Sequence, residues 1–300
     1  MYDKAPAKGV KMTIGIEMAG TKPTKASFIG APRNHTILYV GKKLEDRLCN
    51  LEGVTGCLVF VENGMNIPSG LNEKHAFVFC DSPVLSYARY VRDIMSKEFA
   101  TEKLRQYVLT DEGYYRGEDV VLGQDVYIEP GAFIGHGVEI GDYSVVLSHA
   151  IVKHAKVGCH CLIKENAQIG GQAFTMAQDE LGNEIRIPCL GSVSIDDYAE
   201  VGSFTTVCRG SNTDTTISRY AKIDDHVHVG HDVYIGDNAL LTAGVVLGGY
   251  DRIGAGAYVG LNATIKQLVS VADGAQISMG SRIAKDVKSA DGMYGMPAIK

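Results

Sequence analysis

Ile217-Ser-Arg-Tyr-Ala221-Lys-Ile223-Asp-Asp-His-Val227-His-Val229-Gly-His231-Asp-Val233-Tyr-Ile235-Gly-Asp-Asn-Ala239-Leu-Leu241 places an aliphatic residue at every sixth position, and a second, mostly small residue four places after each. The aliphatic register continues without a miss through Leu247, Ile253, Val259, Ile265, Val271, Ile277 and Ile283. The second register continues through Val245, Ala257, Ala263, Val269, Ala275, Ser281 and Val287, with Asp251 as the exception. A helix repeats at about 3.6 residues and a lone strand at 2, so neither explains a period of six. A chain wound into a triangular tube does, with one hexad per side and three per coil. The aliphatic residues fill the interior and glycines turn the corners. The pattern predicts a parallel β-helix.

Working outward, the same hexad is found earlier at Leu122, Ile128, Ile134, Ile140, Val146 and Val152. It slips by one, continues at Val157, Ile163 and Ile169, and breaks at Gly170-Gly171. It resumes at Ile195, Val201 and Val207 and slips again over residues 209–216. Residues 171–190 are an insertion, with Asp179 to Glu184 as the turn of a hairpin. Loops that interrupt a solenoid project from one face and shape its binding site; the other reading is that this one caps a neighbouring subunit. The tube is expected over residues 120–290, starting near Val120.

Residues 13–107 lack the hexad and read as a small α/β domain. Cys57-Leu-Val-Phe-Val and Ala76-Phe-Val-Phe-Cys have the composition of buried strands. Asp81-Ser-Pro83 opens a helix, with Asp81 or Ser82 as N-cap and Pro83 in the first turn. Val84, Tyr87, Ala88, Val91 and Met95 then share one face.

The formal net charge of −6 argues against a broad nucleic-acid surface. No apolar run approaches the roughly 20 residues of a membrane helix, and Met1 to Lys8 show no signal-peptide core. The seven cysteines are odd in number and scattered, with no C-x-x-C, and read as reduced thiols of a cytoplasmic protein. Cys159 and Cys161 flank His160, but Cys161 falls on the inward position four after Val157, which makes it a core residue.

The hexads Ile134-Gly-His-Gly-Val-Glu and Ile235-Gly-Asp-Asn-Ala-Leu resemble those of the hexapeptide acyltransferase superfamily. A longer ordered set of motifs narrows the likeness. It comprises Arg186-Ile-Pro188, Val201-Gly-Ser-Phe-Thr-Thr-Val-Cys-Arg-Gly210, Lys222-Ile-Asp224 and Val229-Gly-His231-Asp-Val-Tyr-Ile-Gly-Asp-Asn238. These are similar to the UDP-3-O-(3-hydroxyacyl)glucosamine N-acyltransferase family of lipid A synthesis. Ala26-Ser-Phe28, Pro32-Arg33 and Asp81-Ser-Pro83 through Tyr87-Ala-Arg89 resemble that family's uridine-binding domain.

The resemblance implies a left-handed tube and a homotrimer with sites between subunits. It also implies acyl transfer from an acyl-carrier-protein or acyl-coenzyme A thioester to the amino group of a nucleotide sugar or glycolipid precursor. No tightly bound cofactor is expected. His231 matches the family's catalytic base, and Asp224 matches an aspartate that either positions the acceptor or polarises the imidazole. Phe28 matches an aromatic that stacks on uracil; otherwise it is a core phenylalanine.

Independently of the resemblance, three hexads make a coil, so residue 249 stacks beside residue 231. Glycine there leaves a backbone N–H open to a ligand, and beside the base that the resemblance implies Gly249 is the expected oxyanion donor. Gly244, Gly248, Gly260 and Met279 are candidates for an acyl or pantetheine groove.

The sequence departs from the family at the acceptor site. Ala31 and Asn34 replace an asparagine and a tyrosine, with His35 as a partial substitute for the ring, and Leu268 replaces a second histidine. The resemblance also implies C-terminal helices that dock acyl carrier protein, which have no counterpart after Tyr294. An acetyl-coenzyme A-dependent sugar N- or O-acetyltransferase is the alternative. A zinc-binding branch of the fold has a second histidine five residues after Val-Gly-His; here that position is Gly236, so no metal is expected.

Overall fold

The structure, a computed structural model, describes residues 23–291 and 293–294. The expected start of the first domain at residue 13, the reading of Met1 to Lys8 and the last residues after Tyr294 lie outside the described residues.

The chain forms two compact units. Of the described residues, the first comprises those from 23 to 104 together with 174–190 and 211–213; the second comprises 105–173, 191–210 and those from 214 to 294. The first unit is built on a four-stranded parallel sheet of β1 (Lys25–Ala26), β2 (Thr36–Val40), β3 (Leu58–Glu62) and β4 (Ala76–Cys80), in that order. A 3₁₀ segment (Lys42–Gly53) and a short α1 (Leu71–Lys74) lie between the strands, and α2 (Pro83–Glu102) follows them. Ser82 caps α2 by accepting from the Leu85 N–H, and Pro83 opens the first turn, where its missing N–H costs nothing. Tyr87, Ala88 and Val91 are buried against Phe60 and Val78 of the sheet.

The insertion belongs to this unit, which revises its expected place in the tube domain. Met176–Gln178 and Glu184–Arg186 pair antiparallel. Asp179 Oδ1 accepts from the N–H groups of Leu181 and Asn183 and shapes the turn. Ala177 and Ile187 are buried in the same cluster as the apolar face of α2, and Arg89 grips the Glu180 carboxylate with two hydrogen bonds of 2.8 and 2.6 Å. Within one chain the hairpin is therefore already committed to its own unit.

The second unit is the tube. Its strands stack into three parallel sheets, here called the first face (for example Thr215–Ile217, Tyr234–Ile235, Arg252–Ile253), the second (Lys222–Ile223, Leu240–Leu241, Tyr258–Val259) and the third (His228–Val229, Val246–Leu247, Thr264–Ile265). Val229 pairs with Leu247 and Leu247 with Ile265, one coil per step. The hexad aliphatics from Ile217 to Ile277 are all buried. Each contributes about 1.5–3 kcal/mol by leaving water, which makes a continuous core the dominant stabilising term. The parallel ladder starts with Tyr115 pairing to Phe133, slightly before the expected start near Val120.

Two details correct the simple picture of glycine corners. The corner position with positive φ is held more often by other residues than by glycine, among them Tyr143, His160, Tyr198 and Tyr220 on the edge between the first and second faces. Their rings stack in sequence, with centroids 5.0, 4.7 and 4.6 Å apart. The glycines that follow the aliphatic residue answer a different need. A β-carbon on Gly230 would meet the backbone of Gly248 at 2.8 Å, so glycine there lets coils stack closely.

All three interruptions of the hexad fall on one edge. The slip after Val152, the insertion after Gly171 and the slip after Cys208 each connect a third-face strand to a first-face strand. The other two edges run without a break from Leu122 to Ile283.

Candidate active site

His231 stands on that same edge, in the corner between Val229 and Tyr234. Its imidazole is mostly covered, with the side chain 20% exposed. Nδ1 lies 2.8 Å from Oδ2 of Asp232, whose side chain is fully buried. An ionised carboxylate only accepts, so Nδ1 carries the hydrogen and Nε2 presents its lone pair. Adjacent residues rarely face each other in regular structure. Here Asp232 has φ 57°, which folds its side chain back onto its neighbour. Its N–H donates to Thr215 Oγ1 at 2.9 Å, which fixes the corner from the coil before.

Gly249 is where the three-hexad stacking places it. A β-carbon built on Gly249 would lie 2.5 Å from His231 Nε2 and 2.6 Å from Cε1. Nε2 thus faces Gly249, whose missing side chain makes room for the ring. Among the described residues the Gly249 N–H donates to no protein group, while its carbonyl accepts from Leu268 N–H at 3.0 Å. Tyr250 sets its ring edge-on to the imidazole, with centroids 5.1 Å apart. A base with a fixed tautomer beside an open N–H can deprotonate a nucleophile and hold a nearby oxyanion.

Asp224 is elsewhere. It occupies the edge between the second and third faces, where Oδ1 accepts from Asp225 N–H and Oδ2 from Ala243 N–H. Within one chain the imidazole's partner is Asp232, and Asp224 stands on a different edge. Its corner bonds are those of a structural cap. The sequence signal for Asp232 was its adjacency to His231, which carries weight only once the corner's backbone is known.

The groove candidates divide between two edges. Gly248 shares the edge of His231, whereas Gly244, Gly260 and the exposed Met279 lie on the edge that carries Asp224. One chain does not bring them together. A β-carbon on Gly260 would meet Met279 N at 2.5 Å, so this glycine serves coil stacking.

The acceptor candidates lie in the first unit. Phe28 is half-buried, with its ring folded over Gly30 in the turn closed by Ala31 N–H to Phe28 O. His35 is exposed at φ 55°, its ring over Gly56. Both flank the connection from β1 to β2.

His226 stacks on Phe204 on the Asp224 edge, away from His231. His228 precedes His231 on the third face; partial burial, and next the His231 charge, hold it below the usual imidazole range. Among the described residues no group of three or more His, Cys, Asp or Glu side chains is gathered for a metal ion. Cys161 is buried and its thiol is pushed up to about 11 by desolvation, as an inert core residue is. No helix among the described residues is long and apolar enough to cross a membrane.

Residues 119–154 and 214–249 match the family described as bacterial transferase hexapeptide (six repeats). The UDP-3-O-acylglucosamine N-acyltransferase of Methylorubrum populi is 32% identical over 151 residues, which cover 50% of this chain and 43% of that protein. The matched stretch thus spans less than half the length of that relative. The solved UDP-N-acetylglucosamine acyltransferase of Campylobacter jejuni is 25% identical, with a TM-score of 0.50 over 56% of this chain and 64% of that one. The LpxA structure from Acinetobacter baumannii is 24% identical, with a TM-score of 0.54 over 60% of this chain and 68% of that one, a likeness of fold. The tube is a left-handed parallel β-helix of the transferase-hexapeptide kind, and over half of its length this chain is similar to the UDP-3-O-acylglucosamine N-acyltransferases.

Proposed function

We propose that the protein is an N-acyltransferase that moves an acyl group from a thioester to the amino group of a glucosamine-type nucleotide sugar. The observation that carries this reading is the approach of His231 Nε2 to Gly249. Nε2 takes a proton from the attacking amine as its nitrogen bonds to the thioester carbon. The carbonyl oxygen gains the negative charge and meets the Gly249 N–H. The C–S bond then breaks, and the leaving thiolate receives the proton from the imidazolium. The Asp232 carboxylate holds the ring in the accepting tautomer and stabilises it when charged.

The donor in this reading is an acyl carrier protein or coenzyme A thioester, the setting is cytoplasmic, and the working assembly is a homotrimer. The division of the groove candidates supports the trimer. His231 and Gly248 are on one edge and Gly244, Gly260 and Met279 on another, so a groove using both needs the edge of a second copy. Phe28 and His35 are proposed to meet the nucleotide base of the acceptor.

The test is thioester consumption by wild type and His231→Ala, with carrier-protein and coenzyme A donors of several chain lengths and UDP-amino sugars including the 3-acylated glucosamine. A loss of about 10³-fold or more in a variant that stays folded supports the base. Equal turnover by both proteins removes it. Turnover only with short coenzyme A donors moves the assignment to a sugar acetyltransferase.

A further inference from the structure

Asp251 breaks the inward register of the tube. Every hexad from Ile217 onward fills that position with alanine, valine or serine except here, and the Asp251 side chain is wholly shielded from solvent. It closes the corner Gly248-Gly249-Tyr250-Asp251, two residues from the proposed oxyanion donor. Oδ1 accepts from Val269 N–H of the next coil at 3.0 Å. Oδ2 is buried and has no hydrogen-bond partner among the described residues.

Two other coils show what a polar side chain does at this position. Ser144 Oγ accepts from Cys161 N–H and donates to the Gly158 carbonyl. Thr205 Oγ1 accepts from Val227 N–H and donates to the Asp224 carbonyl. In both cases the acceptor carbonyl stands three residues before the donating N–H, on the following coil. For Asp251 the equivalent carbonyl is that of Lys266. No backbone N–H among the described residues donates to that carbonyl. A carboxylate cannot fill this slot, because it has no hydrogen to give; a carboxylic acid can.

We propose that Asp251 is a positioning residue that acts as the neutral acid: it ties the Gly248–Gly249 corner to the next coil through an Oδ2–H donated to the Lys266 carbonyl, and its ionisation shuts down turnover. This rests on the acyl-transfer reading of His231 and Gly249. The physical cause is twofold. Ionisation removes the donor that steadies the corner. It also places a buried negative charge behind the N–H that must meet an oxyanion, where low dielectric magnifies the repulsion.

On this edge, within the coil of Asp251 and the coils before and after it, the ionisable groups are His231 and Asp232, then Tyr250 and Arg252, then Lys266. None forms an ion pair with Asp251 among the described residues. Burial is the leading cause that raises its carboxyl to about 7, opposed by the Val269 and then the Gly248 N–H groups. A raised folded-state value means that this group's contribution to stability is complete below about 4, where unfolded aspartate is also protonated. It is lost as pH climbs to about 7.

The experiment compares the full-length wild type, Asp251→Asn and Asp251→Val. Thermal midpoints are measured from pH 5 to 9 without substrate, and kcat and KM across the same range with the best thioester and amine. Asparagine donates at every pH; valine, the residue of neighbouring coils, never does. The wild-type midpoint should fall towards alkaline pH relative to the asparagine variant. Its kcat should fall about tenfold per pH unit above neutrality, while the asparagine variant keeps its rate. Valine should lower kcat at all pH values with little change in KM and no alkaline limb. Wild type and Asp251→Asn showing the same alkaline decline in midpoint and in rate would overturn the proposal. Absence of turnover by the wild type with every donor counts against acyl transfer, and the unfolding curves then decide the state of Asp251 by themselves.

Discussion

The imidazole of His231 rests against Gly249 so closely that a single added β-carbon would fall 2.5 Å from Nε2. Gly249→Ala is therefore expected to displace the ring from its Asp232 partner and crowd the N–H beside it. We expect kcat to fall roughly 10²–10³-fold. The midpoint should fall as well, because the buried Asp232 carboxylate loses its imidazole partner. Steady-state kinetics with a parallel melting curve checks both parts. Unimpaired kcat would mean that the ring has room that the geometry denies it.

Asp232→Asn keeps the shape of the side chain and removes its charge. The amide can donate to Nδ1, which would turn the imidazole into the wrong tautomer and leave Nε2 protonated. A loss of about 10²- to 10⁴-fold in kcat is expected, with KM nearly unchanged. Thr215→Val removes the acceptor of the Asp232 N–H and should cost about 1 kcal/mol in stability with a smaller effect on rate. Urea unfolding and initial rates on the two variants separate these roles.

Leu268 holds a corner with φ 66° and is 66% exposed. A branched side chain in the left-handed region is strained, and an exposed one gains little from packing. Leu268→Gly should stabilise the protein by about 0.5–1 kcal/mol, read as a higher unfolding midpoint. A lower midpoint would show that this leucine is covered in the assembled protein.

In the first unit the Tyr87 hydroxyl, on a side chain buried to 1% exposure, donates to Asn212 Oδ1 at 2.7 Å. Tyr87→Phe should cost about 1–2 kcal/mol. Chemical denaturation of the full-length protein would measure it. No change would place the Asn212 amide among partners that compensate.

The tube was legible because its inward residues repeat in sequence as they do in space. Ile217 through Ile277 specify coil length, and coil length specifies that Gly249 stacks on His231. Asp232 was not legible, because its approach to the imidazole depends on a backbone angle rather than on residue type. The attribution of residues 174–190 was hidden for a different reason. Ala177 and Ile187 pack with α2 residues far away in the chain, and no period announces such a contact. The edge on which each groove residue lies follows from counting hexads from Ile217. That count separates Gly244 and Gly260 from His231.

The first unit collects its residues from three separate stretches of chain, with segments of tube between them. A protease cut in the segment that leads from α2 into the tube would not free it. Expressing residues up to 104 alone would strip Asn212 from Tyr87 and uncover the side of α2 that Ala177 and Ile187 occupy. The two halves of the molecule are thus interleaved rather than tandem: neither can be transplanted by joining ends, and a chimera must carry the hairpin with its sheet.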